Sequence, residues 1–190
     1  MLKKMLHAPL ALLAIIAFCT ALSACAAPLL VGAVSDERSF GEHVSDSQLE
    51  ASVKAAIVSQ QASEILSINV YSFYGDIYLI GEADQTAGAK AAEAAKGVKG
   101  VRSVTSYFFP PDTMTAQDLV TEARINNNLL LAEGVPSGKV QVDVWAGQAV
   151  LLGILSSQEQ VDKVIEVTKN VPGVKSIKSY LILKQASDPQ

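Results

Sequence analysis

The chain has 190 residues, with 15 basic and 19 acidic side chains for a formal charge of −4; nearly half of it is apolar and 18% is charged. That length allows one ordinary domain or two small ones, and so much apolar content excludes a chain that is disordered throughout. The mild acidity argues against nucleic-acid binding, which needs concentrated positive charge, and two Cys with two His are too few for a zinc ribbon or a disulfide scaffold.

Residues 1–24 read as a lipoprotein signal peptide. Lys3 and Lys4 stand in an acid-free start, the run from Pro9 to Ala21 (PLALLAIIAFCTA) is apolar, and Leu22-Ser23-Ala24-Cys25 follows. A basic n-region, a short apolar h-region and small residues before the cut are the marks of a secretory signal, and the run is shorter than the roughly 20 apolar residues a spanning helix needs. Leu-Ser-Ala-Cys resembles the bacterial lipobox, which implies cleavage before Cys25 and acylation of its thiol and new amine. The alternative is an ordinary secretory cut that leaves Cys25 as a free thiol. Ala26, where an Asp would resemble an inner-membrane retention signal, implies sorting to the outer membrane. Removal takes Lys3, Lys4 and Cys19, leaving 13 basic against 19 acidic residues, a charge of −6. Acyl chains, at roughly 0.8 kcal/mol per buried CH₂, hold such a protein on its membrane essentially permanently. Residues 25–44, mostly small or polar, read as a tether, and His43 there beside Glu42 and Asp46 reads as solvated rather than metal-bound.

The remainder is one unit written twice. Slid against itself by 72 positions, the chain places Asp46 on Asp118, Val53 on Ile125, Ile57 on Leu129, Val70 on Val142, Phe73 on Trp145, Gly75 on Gly147 and Gly81 on Gly153. After one extra residue, Val98-Lys99-Gly100-Val101 pairs with Val171-Pro172-Gly173-Val174. In each copy an Asp reads as the N-cap of a helix with apolar residues four apart (Leu49, Val53, Ile57; Thr121, Ile125, Leu129). Alternation then predicts a strand (Ile68–Ser72; Val140–Val144), a turn at Tyr74-Gly75-Asp76 or Ala146-Gly147-Gln148, and a continuously apolar return strand (Ile77–Ile80; Ala149–Leu152). A second helix follows, Ala-rich from Ala87 to Ala95 in the first copy and striped with Val161, Val164, Ile165 and Thr168 in the second. A last strand covers 101–108 and 174–183. The fold class is α+β: two tandem helix–strand–strand–helix–strand units, each a three-stranded mixed sheet packed against two helices, spanning 45–109 and 115–184. A Pro-rich linker (110–114) stands between them and a tail (185–190) ends the chain. Gly75, Gly81, Gly100, Gly147, Gly153 and Gly173 are read as structural glycines.

The helix pattern from Asp46 and Asp118, the hairpins Ile68…Gly75…Gly81 and Val140…Gly147…Gly153, and the closing Val98-Lys99-Gly100-Val101 and Val171-Pro172-Gly173-Val174 resemble the BON domain. Behind a lipobox, two such domains resemble the dual-BON lipoproteins of the outer membrane. The resemblance implies association with phospholipid, anionic phospholipid included, through the acyl anchor and the second domain's first helix, on the periplasmic side of the outer membrane. It also implies a role in envelope integrity without enzymatic activity or cofactor. In such lipoproteins the start of that helix meets anionic lipid, with an aromatic two residues after the Asp. Here that position is Val120, beside Leu119, and Leu130 matches a lipid-facing position further along.

Leu119, Val120, Leu130 and Leu131 exceed what one core-facing stripe requires, so they either form an apolar edge for lipid or pack against the first repeat. Trp145 is a candidate phospholipid contact as an interface anchor; the other reading makes it a plug for a small core. Lys163, Lys169, Lys175 and Lys178, interspersed with Asp162 and Glu166, form a solvated mixed face. No Gly-x-Ser-x-Gly elbow, paired-carboxylate spacing or phosphate-cradling loop appears, so no enzyme and no metal site is expected. A protein-interaction adaptor for envelope assembly or secretion machinery, using a sheet edge, is the alternative function.

Overall fold

Helical spacing and strand alternation each bury one side of their element, and the fold follows from joining those sides. The computed structural model describes residues 45–60 and 67–184; the signal segment, Cys25, the tether with His43 and the tail lie outside the described residues. The first repeat runs α1 (Asp46–Gln60), β1 (Ile68–Phe73), β2 (Asp76–Glu82), α2 (Gln85–Lys96) and β3 (Ser103–Phe109). The second runs α3 (Ala116–Leu131), a 3₁₀ turn (Ser137–Lys139), β4 (Val140–Trp145), β5 (Gln148–Leu155), α4 (Gln158–Lys169) and β6 (Ser176–Leu183). In each sheet the return strand is central, antiparallel to its hairpin partner and parallel to the last strand.

One face of each sheet meets its own helices. Leu49, Val53 and Ile57 of α1 pack with Ile68, Ile77 and Leu79, and Ile125 and Leu129 of α3 pack with Val142, Val144, Ala149 and Leu151. The alanines of α2 serve this inner packing. Ala91, Ala94 and Ala95 are buried against their own sheet, and a Cβ at Gly88 would sit 2.7 Å from the Phe108 ring. The glycines that close the return strands also carry a close approach. At Gly153 (φ +147°) a Cβ would lie 2.0 Å from the Lys139 carbonyl oxygen, and at Gly81 (φ +152°) 1.9 Å from that of Ser67. Any side chain there must push the first strand of the hairpin away.

The first-turn aspartates act differently from the sequence expectation. Ser45 and Thr115, rather than Asp46 and Asp118, cap the first helices: the Gln48 amide donates to Ser45 Oγ (3.4 Å), and Thr115 forms a capping box with Asp118 at the third helical position. Both aspartates also reach sideways to the hairpin turns, Asp118 while its other oxygen accepts from the Thr115 amide (2.9 Å) and hydroxyl (2.7 Å). Asp46 accepts from the amides of Tyr74 (2.9 Å) and Gly75 (3.0 Å) and from Ser72 Oγ (2.6 Å). Asp118 accepts from the Gly147 amide (2.7 Å) and from that of Ala146. Burial alone would raise both carboxyls, but these bonds hold both below the ordinary range. Tyr74-Gly75 and Ala146-Gly147 all have positive φ, as a type I′ turn requires, and a non-Gly residue there is strained by about 1 kcal/mol. Asp118→Ala is therefore expected to cost about 1–2 kcal/mol. Ala146→Asn, which creates the Asn-Gly pair that type I′ turns favour, is expected to gain about 0.5–1 kcal/mol. Urea unfolding curves check both, and an unchanged midpoint for Asp118→Ala would show the clamp to be idle.

The helix-free faces of the two sheets pack on each other. Ile80, Trp145, Val150 and Leu152 are buried there, ringed by Tyr71, Phe73, Tyr78, Tyr107, Phe109 and Tyr180. Val44–Gln190 is accordingly one compact unit, in the layer order helices, sheet, sheet, helices. The return strands are continuously apolar because they are both central and covered on both sides.

Candidate membrane-contact face and the joint between the repeats

Helix α3 is apolar on two opposite sides. Thr121, Ile125 and Leu129 are buried, with Asp118 beside them on the same row. At about 100° per residue the row formed by Leu119, Val120, Ala123, Leu130 and Leu131 falls on the far side. There Leu119 is 54% exposed, Val120 44%, Leu130 68% and Leu131 75%. The structure thus brings Leu119, Val120 and Leu130 together with Leu131 on one outward stripe and does not pack them against the first repeat. Asn127 interrupts it, and Asn126 and Arg124 border it on either side. Glu122 turns away from the stripe toward β4, where it accepts from the Val144 amide; burial first, then the charge of Asp143, pushes its carboxyl up.

Trp145 is not part of this stripe. It is 2% exposed and stacked on Phe109 of the other repeat, with ring centroids 5.1 Å apart and planes 21° apart. A side chain so enclosed reaches no bilayer unless the sheets separate, so the expectation of a phospholipid contact at Trp145 is corrected: it plugs the joint between the repeats. The physical reason is its strand register, which points it to the face opposite Val144 and hence against the first repeat's sheet.

Beside Trp145, Asp143 holds the joint through polar contacts. The 6%-exposed carboxylate accepts from Tyr71 Oη (2.8 Å) and from Asn69 Nδ2 (2.9 Å), both on β1. Burial is the larger effect and pushes Asp143 up to about 6, against the lowering of the two hydrogen bonds. Tyr71 is pushed well above the ordinary tyrosine value, by burial first and then by the charge of Asp143. At the opposite side Tyr107 Oη donates to Gln148 Oε1 (2.6 Å), and Tyr180 packs near both Tyr78 and Tyr107.

The BON-domain family model matches twice, over residues 45–108 and 117–185. The chain belongs to the BON-domain family. It is 34% identical to "Osmotically-inducible protein Y" of Escherichia coli over 157 residues, covering 79% of this chain and 78% of that protein. It is 32% identical over 71 residues to an uncharacterized protein of Anaplasma centrale, covering 37% of this chain and 47% of that one. Among solved structures it is similar to CdsD, a structural protein of the type III secretion system of Chlamydia trachomatis. That match covers 72% of this chain and 92% of CdsD at 10% identity and a TM-score of 0.33, too low to support an argument.

In each BON domain the first strand of the hairpin is met at its edge by a glutamate of the first helix. Glu50 of α1 accepts from the Ser72 amide of β1 (2.8 Å), and Glu122 of α3 does the same for Val144 of β4. The β3 edge carries no charged residue between Ser103 and Phe109. Three of the four lysines singled out in the second BON domain have partners: Lys163 with Glu166 (3.2 Å), Lys175 Nζ with the Ala146 carbonyl (3.0 Å), and Lys178 over the rings of Tyr180 and Tyr107. Among the described residues no group of three or more His, Cys, Asp or Glu is placed to hold a metal ion, and no helix is long and apolar enough to cross a membrane. Sequence reasoning missed the Asp143, Tyr71 and Asn69 contact entirely. Its signal was available, because these residues alternate with Val142, Val70 and Ile68 on a face where β1 carries two aromatics.

Proposed function

We propose that this BON protein is a non-enzymatic lipoprotein of the bacterial envelope, acylated at Cys25, that associates with phospholipid and supports outer-membrane integrity from the periplasmic side. The observation that carries the lipid reading is the stripe of Leu119, Val120, Leu130 and Leu131, exposed on the side of α3 opposite the core. Exposed large apolar groups are common singly, but four on one helix face mark a contact surface. Their modest area suits a tethered protein: an acyl chain at Cys25 fixes the domain near one leaflet, and a weak second contact then gains from high effective concentration. The similarity to an osmotically inducible protein of Escherichia coli supports a place in the envelope.

The test is co-sedimentation of residues 26–190, which contain the whole compact unit and lack acyl chains, with phospholipid vesicles. Binding that falls at least about tenfold in Leu119→Ser/Leu130→Ser, equivalent to about 1.4 kcal/mol or more, supports the reading. Absence of binding to every vesicle overturns it. A second reading, an adaptor that takes a partner's strand, rests on the uncharged β3 edge, since such an edge is a template for strand addition.

A further inference from the structure

The joint between the two sheets is a smaller cluster than the core on either side of it. Each BON domain has its own buried core between sheet and helices. The joint buries Ile80, Trp145, Val150 and Leu152, and the six aromatic rings around them are only partly buried. A contact with so little enclosed apolar surface opens more readily than the cores that flank it.

Asp143 of β4 stands in this joint, 6% exposed, with Tyr71 Oη and Asn69 Nδ2 of the other domain on its two oxygens. Both partners are neutral. The charged groups that face this corner from the helices are acids: Glu122 of α3, which feels Asp143, and Glu50 of α1, which with Glu122 acts on Tyr71. Among the described residues the ion pairs lie elsewhere, Lys96 with Glu93 and Lys163 with Glu166, and no cation acts on Asp143. A protonated carboxyl suits this place, donating to Tyr71 Oη and accepting from Asn69. A carboxylate keeps two hydrogen bonds but leaves a charge buried beside two further acids, a cost that water removes once the sheets part.

We propose that Asp143 is a proton-operated catch on the joint: its protonation holds the two BON domains face to face, and its ionisation lets them part with each domain's own core intact. Parting uncovers the aromatic faces that the shut form hides, so the surface this protein offers depends on pH. The proposal is independent of the lipid reading. Burial holds the carboxyl at about 6 in the shut joint against an ordinary value of 3.8, so the shut form binds more protons between those values and rising pH favours opening. The opening equilibrium should rise about twentyfold between about pH 4.5 and pH 7.5 and level off above about pH 7.

Residues 26–190 contain the compact unit and neither Cys19 nor Cys25, so one introduced thiol reports on its own surroundings. Val150→Cys places a thiol in the joint and Val164→Cys places one in the helix-covered core of the same domain; both valines are 0% exposed. Labelling with a dipyridyl disulfide, taken relative to the same variant unfolded in urea at each pH, reads how often each site is uncovered. At about pH 7.5 Val150→Cys should label at least about tenfold faster than Val164→Cys, and its relative rate should rise about twentyfold from about pH 4.5. Adding Asp143→Asn should hold that rise below about threefold, because the amide carries no charge to bury. Ile80→Cys, on the first domain's side of the joint, should repeat the pattern of Val150→Cys. Equal relative rates at the joint and core thiols would mean that the joint parts only when the domain unfolds, and would overturn the proposal. A rise with pH that persists in Asp143→Asn overturns it as well.

Discussion

Trp145→Ala is expected to lower the free energy of unfolding by about 3–5 kcal/mol and the melting temperature by roughly 10 °C. The indole is 2% exposed and stacks on Phe109 across the joint, so its removal takes away both buried area and a stacked aromatic pair, and the rigid sheets on either side cannot close the gap. The loss falls on contacts between repeats, because Ile80 of the first and Val150 and Leu152 of the second are its neighbours in the buried cluster. Each BON domain is near the size at which a single core is marginal, so the shared layer supplies stability that neither repeat holds alone. Unfolding should therefore become less cooperative, with a shallower denaturant dependence.

The outcome separates two roles. A tryptophan that anchored a membrane would be exposed, and its truncation would change stability by no more than about 0.5 kcal/mol while weakening vesicle binding. The joint plug described here gives the reverse: a large loss of stability measured by circular dichroism in denaturant. An unchanged melting temperature would overturn the placement of Trp145 between the sheets. Leu130→Ser, on the 68%-exposed side of α3, is the matched control.

The parts of the fold that depend on local pattern were legible in the sequence, and those that depend on the second repeat were not. Helix α1 begins at Asp46 and ends at Gln60 as the spacing of Leu49, Val53 and Ile57 predicts. The hairpins and the mixed sheet order also follow from alternation and the glycine positions. What the pattern concealed is the role of the outward strand face. Gln141 and Asp143 alternate with Val140, Val142 and Val144, which ordinarily marks a solvated face, yet here the first repeat's sheet covers it. The signal lay in the first repeat, where Tyr71, Phe73, Tyr78, Tyr107 and Phe109 all fall on one face of the sheet, more aromatic surface than a solvated face needs. Asp46 and Asp118 were misread for a related reason. An acid opening a helix suggests a cap, but here Ser45 and Thr115 stand at the N-cap; Asp46 holds a turn distant in sequence, and Asp118 does so with one oxygen while the other completes the capping box with Thr115. The stripe on α3 was legible as an excess of apolar residues; that it faces outward was not, because a helix with two apolar sides gives no sequence rule for which is buried.

The second large effect is on pH. Asp143 rises to about 6 in the folded protein because it is buried in the joint, and the hydrogen bonds from Tyr71 and Asn69 offset only part of that. Its unfolded value is about 3.9, so between pH 4 and 6 the folded state binds more protons and stability falls as pH rises, by a total of about 3 kcal/mol. Glu122, raised by burial and by Asp143, acts in the same direction, while Tyr71 stays protonated as a donor. Asp46 and Asp118, held low, contribute stability above their unfolded range that is lost only as pH falls below about 4. The expected profile peaks near pH 4–5 and declines toward neutrality. Asp143→Asn keeps both partners, accepting from Asn69 with its oxygen and donating to Tyr71 Oη with its amide, and removes the buried charge. It is expected to be more stable than the native chain by about 2–3 kcal/mol at pH 7.5 and nearly level with it at pH 4.5. The single Trp of the chain sits in the joint, so its fluorescence in urea titrations at the two pH values reads the difference directly. Native and Asp143→Asn curves that decline in parallel toward neutral pH would overturn the assignment of this slope to Asp143.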